Sequence, residues 1–366
     1  MSERVQDYVV DYSVTKLEET ARTFRRLGEA YENASEPQKS GTGISKQLFL
    51  VADVLEECMT MYVHTEDGKK DFVRELTRKC FVNGIRIKNG RNAIVFQART
   101  VGRSCVAAKK VVPVLTEVLR SGYYPDDSNR RIINEEYHQY IFIQEDRFKL
   151  LSGVARMNKG KSHFNGDNFL ISRLECGKAI AAIADGMGSG KRAYIESRMV
   201  IELMENCIDA GFDEKASIDL INSAYIAGGG TGNPVTMDMS VIDCQSGYMH
   251  CMKLGAVSTF IRRDKWVEII QSTTLPMGVL EQVDYDCTTK KLYDGDYIVM
   301  VSDGVLDNIP CVNKEERMAQ MIHALTIREP SAMAEKLLEQ SLAYNDMKAS
   351  DDCTVLVLGL FDTYEK

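Results

Sequence analysis

The stretch Lys178-Ala179-Ile180-Ala181-Ala182-Ile183-Ala184-Asp185-Gly186-Met187-Gly188-Ser189-Gly190-Lys191 decides the fold, because an apolar run delivers a carboxylate straight into a glycine-rich turn. Downstream, Ile195, Met199, Leu203 and Ile208, with Met204 between them, recur at helical spacing, so the segment reads as strand, glycine turn, helix. Three phosphate-linked motifs share that outline, and spacing separates them. A Walker A loop needs a glycine five positions before Gly-Lys and a Ser or Thr after it, where this chain has Asp185 and Arg192. The dinucleotide fingerprint needs G-x-G-x-x-G, whereas Gly186, Gly188 and Gly190 are spaced by two. A D-x-G-x-G adenine box fails at Met187 and Ser189. What remains is Asp-Gly-x-Gly with its acid at a strand end, a place for a hard cation that takes oxygen ligands.

Asp185 has company. The apolar strand through Tyr297, Ile298, Val299, Met300 and Val301 runs into Ser302-Asp303-Gly304, and Ser350-Asp351-Asp352-Cys353-Thr354 precedes the apolar run Val355-Leu356-Val357-Leu358. Strand ends at one edge of a sheet converge in space, and several carboxylates so gathered repel one another unless cations neutralise them. Two hard divalent ions about 3.5 to 4 Å apart can activate a water and stabilise charge in displacement at phosphorus. Asp67-Gly68 and Asp294-Gly295, set among polar neighbours, read as ordinary turns.

Composition bounds the alternatives. The chain has 366 residues, 44% hydrophobic and 27% charged, which is globular material sufficient for more than one domain. A formal charge of -8 with a single Trp argues against a nucleic-acid surface. The 10 Cys never form C-x-x-C, which predicts reduced, mostly buried thiols in a cytosolic setting rather than a disulfide frame or a zinc site. No run approaches the ~18 to 20 apolar residues that span a bilayer, and Met1-Ser2-Glu3-Arg4 lacks a signal-peptide core, so the chain is expected to be soluble.

Three regions are expected. Residues 1–58 are helical, with Val14, Leu17, Ala21, Phe24, Gly28 and Tyr31 on a short heptad-like seam that suits either docking on its own domain or a homodimer. A linker, Ser35 to Gly43, precedes a second helix through Leu48, Val51, Val54 and Leu55. Residues 59–147 read as a small α+β regulatory module, with strands at Met59–His64, Ala93–Ala98 and Tyr140–Gln144 and helices at Lys70–Val82 and Cys105–Arg120; His64 and His138 read as structural rather than ligating. From 148 to 366 strands dominate, at Asp167–Leu174, Ala179–Ala184, Thr236–Asp243, His250–Arg262, Trp266–Gln271, Asp284–Lys291, Tyr297–Val301 and Thr354–Phe361. Helical patterns at Arg192–Ala210, Lys215–Ala227, Lys314–Thr326 and Pro330–Tyr344 lie between them, which predicts an α+β domain of packed antiparallel sheets flanked by helices.

Taken together, Asp185-Gly186-Met187-Gly188, Ser302-Asp303-Gly304 and Asp351-Asp352-Cys353-Thr354, with Ser152-Gly153-Val154-Ala155, Asn165-Gly166-Asp167-Asn168, Met237 to Asp243, Lys253-Leu254-Gly255-Ala256 and Leu275-Pro276-Met277-Gly278, resemble the metal-dependent protein phosphatases of the 2C type. The order and wording are most similar to a sporulation branch of that family. The resemblance implies an α/β/β/α sandwich and two Mn²⁺ ions, or Mg²⁺ in their place. Carried over by position, it implies that Asp185 bridges the ions, the Gly186 carbonyl faces one and Asp303 with Asp351 holds the other, while Asp167 and Asp352 stand in the outer shell. It further implies hydrolysis of phosphoserine on a phosphorylated anti-sigma-factor antagonist, which would activate a sporulation sigma factor. The implied location is the cytoplasm, either as the cytoplasmic part of a protein anchored at the sporulation septum or as a soluble relative.

Two departures stand out. Gly166 occupies the place of a Glu ligand, and the phosphate-binding Arg of the family has no counterpart, Arg156, Lys159 and Lys161 being the nearest cations and each reading as a solvated charge. They keep open a second reading, a regulatory or scaffolding protein on a catalytically weak phosphatase fold. A nucleotide-binding kinase built on the glycine turn is a further alternative, and it lacks a phosphate-binding Lys in register.

Overall fold

The computed structural model describes residues 20–29, 41–60, 74, 77–78, 82–89, 93–100, 104–160, 164–174, 177–188, 190–210, 212–227, 234–264, 266–280, 283 and 285–363. Val14, Leu17, Tyr31, His64, the Asp67-Gly68 turn, Lys161 and Ser189 lie outside them. The chain divides into two units, Met1–Glu145 and Asp146–Lys366.

In the first unit, helix α1 covers residues 20–29 and α2 covers Gly41–Thr60. Gly41, Thr42 and Gly43 of the expected linker and Met59 and Thr60 of the expected strand are therefore helical, and the rest of both expectations lies outside the described residues. Ala21 is buried, a Cβ on Gly28 would lie 2.8 Å from the Phe49 ring, and Arg25 pairs with Asp53 at 2.6 Å. The described part of the heptad seam thus packs on the next helix of its own chain. Strands β1 (Val82–Asn89), β2 (Ala93–Thr100), β4 (Tyr123–Pro125) and β6 (His138–Gln144) form an antiparallel sheet in the order β1-β2-β6-β4, and β3 (Val106–Ala107) pairs with β5 (Ile132–Ile133). Helix α3 (Val112–Leu119) closes the core of Phe96, Tyr140, Phe142, Leu115 and Ile133. The helix expected from Cys105 begins only at Val112, after β3 and a 3₁₀ turn, because Pro113 is tolerated in a first helical turn and not in an interior one. His138 contacts Arg130 and Glu136, at 2.6 and 3.3 Å.

The second unit is a four-layer sandwich. One antiparallel sheet contains β8 (Asp167–Arg173), β9 (Lys178–Gly186), β10 (Val235–Asp243), β11 (Tyr248–Leu254) and β14 (Asp286–Lys291), in the order β14-β11-β10-β9-β8. The other contains β7 (Phe148–Met157), β12 (Thr259–Arg262), β13 (Val267–Ile270), β15 (Tyr297–Val301) and β16 (Cys353–Asp362), in the order β13-β12-β15-β16-β7. Strand alternation divides the core: Ile180, Ala182 and Ala184 pack under helices α4 (Lys191–Asp209) and α5 (Glu214–Ala227), while Ala181 and Ile183 face the opposite sheet. Val299, Val301, Val355 and Val357 likewise pack beneath α6 (Asp303–Asp307), α7 (Lys314–Ala324) and α8 (Pro330–Leu342), and Ile298, Met300, Leu356 and Leu358 fill the gap between the sheets.

Two expectations change. The run His250–Arg262 is two strands on different sheets, broken at Gly255, whose φ is +61° and whose Cβ would meet Pro276 at 2.7 Å. On α4, Ile195, Met199 and Leu203 face outward and Val200, Ile201, Met204 and Ile208 form the buried stripe. Among described cysteines, all free, Cys244, Cys251 and Cys353 are buried, whereas Cys105, Cys287 and Cys311 are exposed. No helix among the described residues is long and apolar enough to cross a membrane.

Candidate active site

Five carboxylates gather where the two sheets end. Asp185 is the penultimate residue of β9, and in the β8–β9 ladder its direct partner is Asp167. Like charges set opposite each other in a sheet are destabilising, so this pair calls for an external cation or a proton. Asp303 opens α6 at the end of β15, and Asp351 and Asp352 immediately precede β16. Each sheet therefore contributes part of the cluster, and residues far apart in sequence meet because β15 and β16 are neighbours.

Burial and mutual repulsion act together. Burial first, then Asp167, Asp303, Asp351 and Asp352, push Asp185 up to about 8. Asp167 is driven by burial up to about 7, against the pull of the Thr354 and Ser302 hydroxyls and with Asp303 and Asp352 adding to the rise. Those hydroxyls stabilise its charge from nearby without reaching hydrogen-bonding geometry, for both Asp167 carboxylate oxygens are buried and lack a hydrogen-bond partner. Asp303, although exposed at its outer side, is raised as well, chiefly by partial desolvation and then by Asp307 and Asp351.

The local turns serve this arrangement. A Cβ on Gly186 would lie 2.4 Å from the Ala193 carbonyl oxygen, so glycine here lets β9 run directly under the first turn of α4. Gly304 answers a similar need, since a Cβ would sit 2.1 Å from the Asp352 carbonyl. Asp352 is fully engaged: Lys159 N donates to Oδ1 at 2.7 Å and Gly166 N to Oδ2 at 2.7 Å. Asp351 is open, nearly half exposed, with Lys159 Nζ at 3.4 Å. The structure thus separates two adjacent acids that the sequence ranks only by analogy.

Arg156 is exposed on β7, as expected of a solvated charge, yet it is also engaged: it donates to the Asp167 carbonyl and lies over the Phe169 ring at 5.4 Å. Gly166 donates to Asp352, and its carbonyl accepts from Ser197 Oγ at 2.6 Å. Ser197 and Asn168, which donates to Ser197 Oγ at 2.8 Å, tie α4 to this strap, and the sequence reading missed both.

Among the described residues, no three His, Cys, Asp or Glu side chains converge tightly enough as they stand to enclose a metal ion. Repulsion between bare carboxylates favours such spreading. The unpartnered Asp167 oxygens, the raised pKa values and an excess of acids over nearby cations fit a hard cation with oxygen ligands.

Residues 176–361 match the family model described as stage II sporulation protein E (SpoIIE). The chain belongs to the stage II sporulation protein E family. It is 30% identical over 253 residues to stage II sporulation protein E of Bacillus subtilis, a match covering 69% of this chain and 31% of that protein. Its identity to the Priestia megaterium protein is also 30%, covering 69% of this chain and 43% of the relative, so the chain spans less than half the length of either. The phosphatase domain of SpoIIE from Bacillus subtilis, solved in a crystal form without domain swapping, superposes with a TM-score of 0.51 at 30% identity, covering 61% of this chain and 96% of that one. A structure of the PP2C phosphatase domain with a fragment of the regulatory domain of SpoIIE from the same organism gives a TM-score of 0.67 at 24% identity, covering 86% and 95%. The second unit is thus a PP2C-type serine/threonine phosphatase fold of the SpoIIE family.

Proposed function

We propose that the chain hydrolyses phosphoserine or phosphothreonine on a partner protein in a reaction that depends on Mn²⁺, or on Mg²⁺ in its place. The carrying observation is the mutually repelling acid cluster shared by the two sheets, in which Asp167 and Asp352 are buried and both Asp167 oxygens are unpartnered. Asp185, the Gly186 carbonyl, Asp303 and Asp351 would hold the ions. Hard divalent ions supply Lewis acidity at the phosphoryl group and make water a competent nucleophile near neutral pH. Asp352 orients the Asn165-Gly166-Asp167 strap through its backbone hydrogen bond, and Asp167 gives the outer shell a carboxylate able to hold a proton. Arg156 on β7, which feels the charges of Asp167 and Asp352, and Lys159, 3.4 Å from Asp351, are cations beside the cluster that could meet a phosphate.

The SpoIIE relationship supports a phosphorylated anti-sigma-factor antagonist as the substrate, with release of a sporulation sigma factor as the consequence, and a cytoplasmic setting at the sporulation septum. The segment 1–58 and the module 59–147 would regulate the phosphatase, with the N-terminal helices as a route to a homodimer. Release of phosphate from a phosphoserine peptide and from the phosphorylated antagonist, with and without Mn²⁺, tests the reaction. No metal-dependent turnover on either would leave the catalytically weak scaffold, the reading that Gly166 favours. Sedimentation of the full chain against one starting at Asp146, which keeps β7 whole, tests the dimer: an equal number of chains per particle removes it.

A further inference from the structure

Beneath the acids lies an ion pair that the hydrolysis does not use. Asp238 on β10 and Lys253 on β11 stand opposite each other, 2% and 1% exposed, with Nζ 2.7 Å from Oδ2. The ammonium also donates to the Val257 carbonyl at 2.6 Å and to Thr259 Oγ1 at 2.8 Å, and the Thr259 hydroxyl donates to Asp238. Asp238 and Lys253 belong to one sheet, and Thr259 to the other, so the group is a polar bridge through the core between sheets.

Its register matters. Asp238 is paired with Ile183 on β9, two residues before Asp185 and on the same face. Thr259 is paired with Met300 on β15, three residues before Asp303. The bridge therefore joins the two sheets two residues below Asp185 on one and three residues below Asp303 on the other. A buried ion pair is poor evidence for stability, since apolar replacements are often neutral or stabilising, and this pair occupies a layer otherwise filled by Ile183, Met300 and Leu356.

We infer that Asp238, Lys253 and Thr259 are positioning residues that fix the spacing between the two sheets, and hence between Asp185 and Asp303. The inference rests on the metal-dependent reading above and deepens it. The test is the double variant Asp238→Asn/Lys253→Met in the full chain, read by thermal melting, by Mn²⁺ titration calorimetry, by kcat and KM, and by a crystal structure of the metal-free protein. The expected result is melting within a few degrees of the parent, Mn²⁺ affinity and kcat reduced roughly 10- to 100-fold, as for outer-shell residues at metal sites, KM little changed, and an altered Asp185–Asp303 separation. A folded double variant with that separation, the metal affinity and kcat all unchanged would overturn it. Should the double variant fail to fold, Thr259→Val keeps the ion pair and removes its side-chain anchor on the second sheet. A smaller loss of affinity in the same direction supports the inference, and none overturns it. A parent chain that shows no turnover would sink the hydrolysis reading alone, because the separation is measured without metal or substrate.

Discussion

Replacing Asp185 by Asn should stabilise the metal-free protein, although the residue lies at the centre of the proposed site. In an unfolded chain its carboxyl ionises near 3.8, and in the folded protein at about 8. Between those values the folded state keeps a proton that the unfolded state has released. The associated stability is complete below about pH 4 and is lost as pH rises toward 8. Each unit corresponds to about 1.36 kcal/mol, so an isolated group shifted this far would carry roughly 6 kcal/mol. Asp167, raised to about 7, faces Asp185 across the ladder, and coupled acids divide their protons between them. The expected gain for Asp185→Asn is therefore about 2 kcal/mol at pH 8, shrinking to nothing near pH 4. In a domain of this size that corresponds to about 4–8 °C in melting temperature. Scanning calorimetry in chelator at several pH values measures it, with a parallel series in Mn²⁺. The parent should gain stability from Mn²⁺ and the variant much less. A variant that melts below the parent at pH 8, or a difference independent of pH, would refute the idea that uncompensated charge strains this site.

Other substitutions probe separate parts of the arrangement. Asp303→Asn should depress Mn²⁺ affinity and turnover together by about tenfold or more, in a metal titration of activity alongside calorimetry; loss of turnover with affinity intact would remove Asp303 from the ligand set. Gly166→Glu restores a carboxylate where a Cβ would make ordinary contacts of 3.4 to 3.5 Å with Ala193, Asp352 and Asp185, so it should tighten Mn²⁺ binding by about tenfold while lowering metal-free stability by about 1 kcal/mol. Calorimetry and a melt in chelator decide it, and unchanged affinity would show that this strap does not face the ions. Gly304→Ala drives a methyl against the Asp352 carbonyl and should cost about 3 kcal/mol in denaturant unfolding; a cost below 1 kcal/mol would mean that the β15–α6 turn yields easily.

The acids at strand ends were legible because the signal is local: an apolar strand that stops on Asp-Gly at Asp185 and Asp303 marks both the element and the place where it meets solvent. The pairing of Asp167 with Asp185 was not legible, since register between strands is fixed by which faces are buried and by the turn joining them, and neither belongs to a single segment. The same limit applies to Asp352, whose two oxygens are consumed by backbone amides of a distant loop. The inter-sheet bridge did leave a mark. Asp238 sits between Met237 and Met239, and Lys253 between Met252 and Leu254, each a charge enclosed by apolar neighbours within a strand. In a strand covered on both faces, such a charge has no route to water, and an unpaired one would cost several kcal/mol. Two of opposite sign on successive strands therefore predict each other as partners. What they do not predict is Thr259, because the run from His250 to Arg262 looks continuous until Gly255 turns it from one sheet to the other. That turn, rather than any charged residue, lets a lysine on one sheet reach a hydroxyl on its neighbour, so the spacing of the acids above depends on a glycine that touches none of them.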